Sequence, residues 1–405
     1  MYRRKQFVLA AAISFAATVI SSSPAALHQS PEPALTRERP IIKVDLHKFA
    51  DPYWNPNNSG EQGSTIGSAI HFVNGISVVW SWLTRDDALP RTKDSSRSPV
   101  SLPPQATHVH AVLLDALTGR AKTKRDWSAP SKEVYYSVVQ NGNFITCVDN
   151  NIRLYSAEFE LLQEMHLESP FQCMRLAALA SGGISPSGRS ILAATVSGDK
   201  NISEVLDTGT LKPISTANEG KPVTITALSD HWLAGHCGSP WEVCIRNIAG
   251  SWKPFSFSGA ENQPPTRVLG RAYFVNDDTI LICRLHDLVM ANVNGSVLFR
   301  VNLPKDRSCD NNRPTPSNDG RRFAIMESKR LPINEFFEMG LPWTDDKILV
   351  FDTSERRAIF AVKVDGAAQW PSTRTHSHEF ALSPDGDRLA VVSDGILKIY
   401  KLPAD

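Results

Sequence analysis

Leu382-Ser383-Pro384-Asp385-Gly386-Asp387-Arg388 is followed at once by the apolar run Leu389-Ala390-Val391-Val392. The heptapeptide is a turn by its own chemistry. Pro presets φ, Asp caps the bend with its side chain, and Gly accepts a positive φ. Two close copies stand upstream. Ile184-Ser185-Pro186-Ser187-Gly188-Arg189 leads into Ile191–Ala194, and Pro316-Ser317-Asn318-Asp319-Gly320-Arg321 leads into Phe323–Met326. Looser copies lie at Phe72-Val73-Asn74-Gly75, Val138-Val139-Gln140-Asn141-Gly142, Ala227-Leu228-Ser229-Asp230 and Phe274-Val275-Asn276-Asp277-Asp278. One residue per turn (73, 139, 185, 228, 275, 317 and 383) gives steps of 66, 46, 43, 47, 42 and 66. The middle four match the length of four short antiparallel strands with their turns.

Between the turns, short β-rich runs alternate with Gly, Asn, Asp, Ser and Pro, and no amphipathic helical stripe persists. The expected fold is therefore all-β. Seven turns of this period make a seven-bladed β-propeller. The Ser-Pro-Asp-Gly turn followed by a strand resembles the blades of bacterial WD40-like and TolB-like propellers, over about residues 41–402. The Trp-Asp dipeptide of eukaryotic WD40 repeats is absent, so the resemblance implies a fold and no particular site. The last blade has candidate strands at 379–382, 388–393 and 396–402 and then lacks a fourth. Ile42, Val44 and Leu46 alternate with Lys43, Asp45 and His47, as an outer strand with one buried face would. Pairing this strand with the last blade closes the ring and covers an aggregation-prone edge.

The N-terminus sets the expected compartment. Arg3, Arg4 and Lys5 precede the uncharged run Phe7–Ile20, and small residues follow up to Ala26. This reads as a signal peptide over 1–26, too short to be a membrane span. An extended leader with Pro31, Pro33 and Pro40 occupies 27–40, and a single propeller occupies 41–405. The mature chain is expected to be exported, periplasmic or extracellular, with no membrane span after cleavage. It also reads as a monomer. Forty-three Lys and Arg balance forty-two Asp and Glu without long blocks, which gives no nucleic-acid footprint. Six cysteines in 405 residues are too sparse to frame the fold. Cys237 and Cys244 flank a Gly-Ser-Pro turn and are a possible disulfide, whereas Cys147 and Cys283 lie in apolar runs and read as buried thiols.

The two long steps each hold an insertion, about 84–107 and 329–346, between the second and third strands of blades 1 and 6. Two links between blades are long as well, 48–65 and 365–377. Blades 6, 7 and 1 are neighbours in a ring, so all four segments are expected in one sector of one face. Candidate partner-binding residues there are Tyr53, Trp54, Arg85, Phe336, Phe337, Trp343, Trp370, His376 and His378, aromatic and Arg residues being favoured in hot spots. The same aromatics would also serve to pack their own loops.

Catalytic and metal signals are thin. His108-Val-His110 and His376-Ser-His378 put two imidazoles on one strand face but lack further ligands. The first pair reads as a solvated face. Asp86-Asp87, Asp277-Asp278 and Asp345-Asp346 read as solvated turn formers. No phosphate loop or nucleophile elbow occurs. No cofactor and no catalytic residue is assigned. The reading that asks least is a non-enzymatic module for an unidentified protein or peptide. A small-ligand or glycan sensor, and a propeller hydrolase or lyase, stay open as alternatives.

Overall fold

The computed structural model describes residues 39–49, 67–85, 107–129, 134–139, 142–148, 151–166, 183–197, 200–219, 224–237, 242–257, 266–284, 287–309, 314–330, 343–364, 379–393 and 395–404. The expected signal segment and most of the leader, residues 1–38, lie outside these. Among the described residues helix is confined to the 3-10 turn Leu46–Lys48 and a single 3-10 position at Gly142. The rest is antiparallel sheet arranged as seven blades.

Blade 1 comprises Gly67–Asn74, Ser77–Arg85, Thr107–Asp115 and Ala121–Ala129, from the innermost strand outward. Blade 2 comprises Val134–Val138, Phe144–Val148, Asn151–Tyr155 and Leu161–His166. Blade 3 has Ser190–Ser197, Lys200–Asp207 and Pro213–Glu219, and among the described residues its innermost position holds the Ile184–Ile191 bridge. Blade 4 has Thr224–Leu228, Trp232–His236, Val243–Asn247 and the short Lys253–Pro254. Blade 5 has Arg271–Phe274, Thr279–Cys283, Asp287–Asn292 and Val297–Asn302. In blade 6 the innermost strand is split into Arg307–Ser308 and Thr315–Pro316, ahead of Arg322–Arg330, Trp343–Asp352 and Arg357–Lys363. Blade 7 has Glu379–Leu382, Arg388–Ser393 and Ile396–Lys401, and takes its fourth strand, Ile42–Asp45, from the other end of the chain. That closing strand runs antiparallel to Ile396–Lys401, with Ile42 opposite Ile399 and Asp45 opposite Ile396. The seven-bladed ring closed by the N-terminal strand is therefore as the sequence reading has it.

Seven apolar layers, one per seam, hold neighbouring blades together. Ile152 packs with Leu206 between blades 2 and 3, and Leu192 with Leu233 between 3 and 4. Ile245 with Ile280, Leu281 with Phe351, and Val350 with Leu389 continue through the 4–5, 5–6 and 6–7 seams. Trp80 and Val112 meet Ala390 and Leu397 between 7 and 1, and Val79 and Leu113 meet Phe144 and Phe159 between 1 and 2. Each blade is therefore buried on both faces. Burying one such side chain contributes about 1.5–3 kcal/mol, so ring cohesion is a sum of many moderate terms.

The recurring turn is built alike in its three strong copies. Gly386, Gly320 and Gly188 each donate N–H to the carbonyl three residues back, on Ser383, Ser317 and Ser185, at 2.8–2.9 Å. Those serines are almost wholly buried. Each hydroxyl accepts the backbone N–H that opens the next strand, from Arg388, Arg322 and Ser190, at 2.9–3.0 Å. Gly386 sits at φ +72° against Arg322, where a Cβ would stand 3.2 Å from its Cδ. That close approach, as well as the positive φ, selects glycine.

These turns also clasp one blade to the next. Arg388 Nη1 donates to Gly75 O at 2.7 Å, and Arg322 Nη1 donates to Gly386 O at 3.0 Å. Ser187 Oγ donates to the Asp230 carboxylate at 2.8 Å. His231 N donates to Asp277 Oδ1 at 2.9 Å, and its ring Nδ1 bonds the other oxygen. Asp277 was read as a solvated turn former; it is instead the acceptor that joins blade 4 to blade 5. Partial burial pushes its carboxyl up, but the bonds from His231 and Ser229 outweigh this and hold it below its ordinary value. The bond to Asp277 in turn raises the His231 imidazole.

Two outcomes follow from these contacts. Leu46 is fully buried beside the closing strand, so Leu46→Ala should lower the unfolding free energy by about 2–5 kcal/mol, read by urea denaturation. The His231–Asp277 clasp stabilises through a raised imidazole, an effect complete below pH 6.5 and lost as pH rises through the folded value. Its lowered carboxyl acts above pH 3.8 and is lost as pH falls through the folded value. Thermal melts of wild type and His231→Gln should therefore differ most between these limits and converge above and below them. Equal differences at every pH would refute this.

Candidate functional site

Strands alternate in direction within each blade, so the first-to-second and third-to-fourth turns share one face. The second-to-third connections and the links between blades share the other. The two faces differ sharply. The turn face carries only short connections, such as 116–120, 208–212 and 384–387, many of them tied down by the clasps above. Among the described residues, the strand ends that bound 50–66, 86–106, 331–342 and 365–378 all open on the opposite face, around blades 6, 7 and 1.

Of the residues chosen from the sequence, Tyr53, Trp54, Phe336, Phe337, Trp370, His376 and His378 lie outside the described residues. Arg85 and Trp343 are placed by their backbone alone. Arg85 pairs with Thr107, and Trp343 pairs with Arg330. These pairs are the necks of the two insertions. Asp345-Asp346 was read as a turn, but it lies inside Trp343–Asp352, and Asp346 is buried. The third strand of blade 6 simply begins earlier than the polar composition indicated.

Beneath the exits of 50–66 and 86–106 lies an aromatic ladder on the blade 1 face that meets blade 7. Ser68, Trp82, His110 and Asp126 form one rung across all four strands. Trp80 and Trp82 stack along the second strand with centroids 4.1 Å apart, and Trp82 stacks on His110 across the sheet at 5.0 Å. His110 Nδ1 is 2.7 Å from Asp126 Oδ1, which fixes the ring plane. Lys124 Nζ stands 5.9 Å from the Trp82 ring centre, and His108 lies one rung nearer the loop face. Trp82 Nε1 is buried with no hydrogen-bond partner among the described residues.

The solvated reading of His108-Val-His110 is thus overturned for His110, which is 8% exposed. Strict alternation was taken to mean one wet face, whereas this strand is covered on both sides by neighbouring blades. The overlooked signal was Trp80-Ser81-Trp82, two large rings two residues apart on one strand face. Among the described residues no three His, Cys, Asp or Glu are grouped to hold a metal ion. Cys237 and Cys244 are bonded across the second and third strands of blade 4, with Cα atoms 5.8 Å apart. Cys283 is fully buried, and the Cys147 side chain lies outside the described residues.

No family model matches the chain, and no curated protein matches it. Solved structures similar to it include a chain of the mitotic checkpoint complex, 15% identical at a TM-score of 0.45, covering 92% of this chain and 98% of that one. BamB from Moraxella catarrhalis is 14% identical at 0.39, covering 91% and 100%. The C-terminal WD40 domain of Sif2 is 10% identical at 0.42, covering 92% and 100%. At these scores the propeller rests on its own sheet order and closing strand, and nothing about activity passes from those proteins to this chain.

The ladder carries a stability outcome. Trp82→Ala should cost about 3–5 kcal/mol in guanidinium unfolding, and His110→Ala less, because the smaller ring leaves Trp80 and Trp82 stacked.

Proposed function

We propose that the protein is an exported, non-enzymatic propeller that binds a protein or peptide on its long-connection face, in the sector of blades 6, 7 and 1. The observation that carries this is the asymmetry of the two faces. A rigid ring with one face reduced to clasped turns and the other supplied with long segments from three adjacent blades is built to present those segments. The aromatic and Arg residues in them are of the type that dominates interface energetics. Next to the strand ends that bound 86–106, the stacked Trp80, Trp82 and His110 give a firm base, and a pre-ordered base lowers the cost of ordering on binding. Export is supported by the basic head and apolar run at the N-terminus, and by the Cys237–Cys244 bond.

The test is crosslinking of the tagged full chain in its native cell followed by mass spectrometry, beside a Trp54→Ala/Trp343→Ala/Trp370→Ala variant. The expected result is a discrete protein crosslinked to wild type and at least tenfold depleted with the variant, whose melting profile stays cooperative. A partner retained in full by the variant would remove the sector. Crosslinks to no protein, with a glycan or small molecule retained instead, would replace the protein-binding reading.

A further inference from the structure

We infer that the outer wall of blades 6, 7 and 1 is a docking surface for an acidic, extended segment of the partner protein, laid along the outermost strand of blade 1. This deepens the protein-binding reading, rests on it, and gives the partner a charge.

The outermost strands of the disc fall into two groups. With the turns that lead into them, those of blades 6, 7 and 1 are residues 355–363, 39–48 and 120–129, and they hold ten Lys and Arg against three Asp and Glu. The corresponding residues of blades 2 to 5 are 160–166, 212–219, 251–257 and 296–302, and they hold three against three. In a chain of formal charge +1 this is a strong bias to one side of the ring, and it falls on the three blades whose strand ends bound the long connections. All ten cations are exposed. The three carboxylates are already engaged, Glu355 by Arg357, Asp45 by His47, and Asp126 by His110 and Lys124. Among the described residues Lys43, Arg120, Arg125 and Arg356 pair with no carboxylate. Edge cations also deter aggregation between sheets. The outermost strands of blades 2 to 5 do without them, and that of blade 2 begins with Leu161 and Leu162, 54% and 53% exposed. Protection of the edge therefore does not account for the bias.

Blade 1 supplies the best-formed edge. Its outermost strand, Ala121–Ala129, has nine residues and is the longest outermost strand among the described residues. No further strand lies outside it among those residues, so its main chain offers donors and acceptors to an extended peptide. Lys124 stands opposite Val112 on the blade 7 side, and Arg125 stands opposite Ala111 on the blade 2 side. A chain lying along this edge therefore meets cations on both of its own faces. Alternate residues of a strand are about 7 Å apart, inside the screening length of about 8 Å at physiological salt, so the attractions of neighbouring cations add. Trp127, partly exposed on the same strand and stacked 5.7 Å from Phe144, adds a rigid aromatic contact. The wall is convex, because it follows three successive blades of a closed ring. A flat bilayer meets such an edge along one blade at a time, whereas an extended acidic peptide can follow it.

The test uses the full chain and two fluorescent dodecapeptides, one alternating Glu with Thr and one with Gln in place of every Glu, read by anisotropy. Two variants carry the same change of charge: Arg120→Glu/Arg125→Glu on the wall, and Lys212→Glu/Lys253→Glu on the outermost strands of blades 3 and 4. The Glu peptide should bind about tenfold tighter than the Gln peptide, and the wall variant alone should weaken it by about tenfold. Both variants should melt cooperatively. Equal losses in the two variants would assign the binding to net charge and sink the wall, as would equal binding of the two peptides. Phosphatidylglycerol vesicles that bind wild type and not the wall variant, with the Glu peptide left unbound, would replace the peptide by a membrane surface. Crosslinking in the native cell separates this inference from the reading it rests on. A partner retained by the wall variant and lost from the triple tryptophan variant removes the wall and keeps the module. No protein crosslinked to any form, with the Glu peptide still bound at the wall, removes the module and leaves the wall as a surface for acidic chains.

Discussion

Ring closure is the constraint on which the rest of this protein depends. Each blade is covered on both faces only because a neighbour stands on either side, and the last gap is sealed by four residues from the far end of the chain. Ile42 and Val44 share one layer with Leu397 and Ile399 of blade 7 and with Trp80 and Leu114 of blade 1. Without that strand, blade 7 would expose an unpaired edge and blade 1 would lose one side of its core. The local hydrogen bonds of the seven turns cannot substitute, because they join blades at one rim while the apolar layers run through the depth of the disc.

A closed ring with locked turns leaves one face as the place where the chain can vary without cost to packing. The second-to-third connections and the links between blades begin and end at strand termini whose cores are already complete. Length added there costs only slowly growing loop entropy. The three blades around the closure site carry most of that added length in sequence, and the strand ends that bound 86–106 lie beside the Trp80, Trp82 and His110 ladder. Seams and turn clasps hold the disc, and the connections that vary most in length leave from its opposite face.

Misread residues share one cause. His110 was placed on a wet face, and Asp277 and Asp346 in wet turns, because polar side chains on a strand or bend are ordinarily solvated. In a propeller the neighbour of a strand's second face is a blade some forty residues away in sequence. Asp277 answers to His231 of the preceding blade, and His110 is enclosed by its own Trp82 and by blade 7. The buried serines that open the strong turns went unremarked although they are part of the repeated motif, since their role is to accept an amide five residues on. A further repeated signal was Asp115, Asp207 and Asp352. Each ends a third strand and caps the following turn through its own side chain.

By itself the sequence determined what local chemistry can encode: all-β structure, the turn that recurs with each blade, the count of seven, the amphipathic closing strand, and the blades in which the longest insertions fall. Each of these depends on residues within a few positions of one another or on counting along the chain. Only the tertiary structure decided which faces are buried, which turn clasps which, that His110 lies inside a seam, and that Cys283 and Cys309 belong to one layer. Those facts depend on pairs brought together from separate blades, and no spacing along the chain records which side of a strand its distant neighbour will cover.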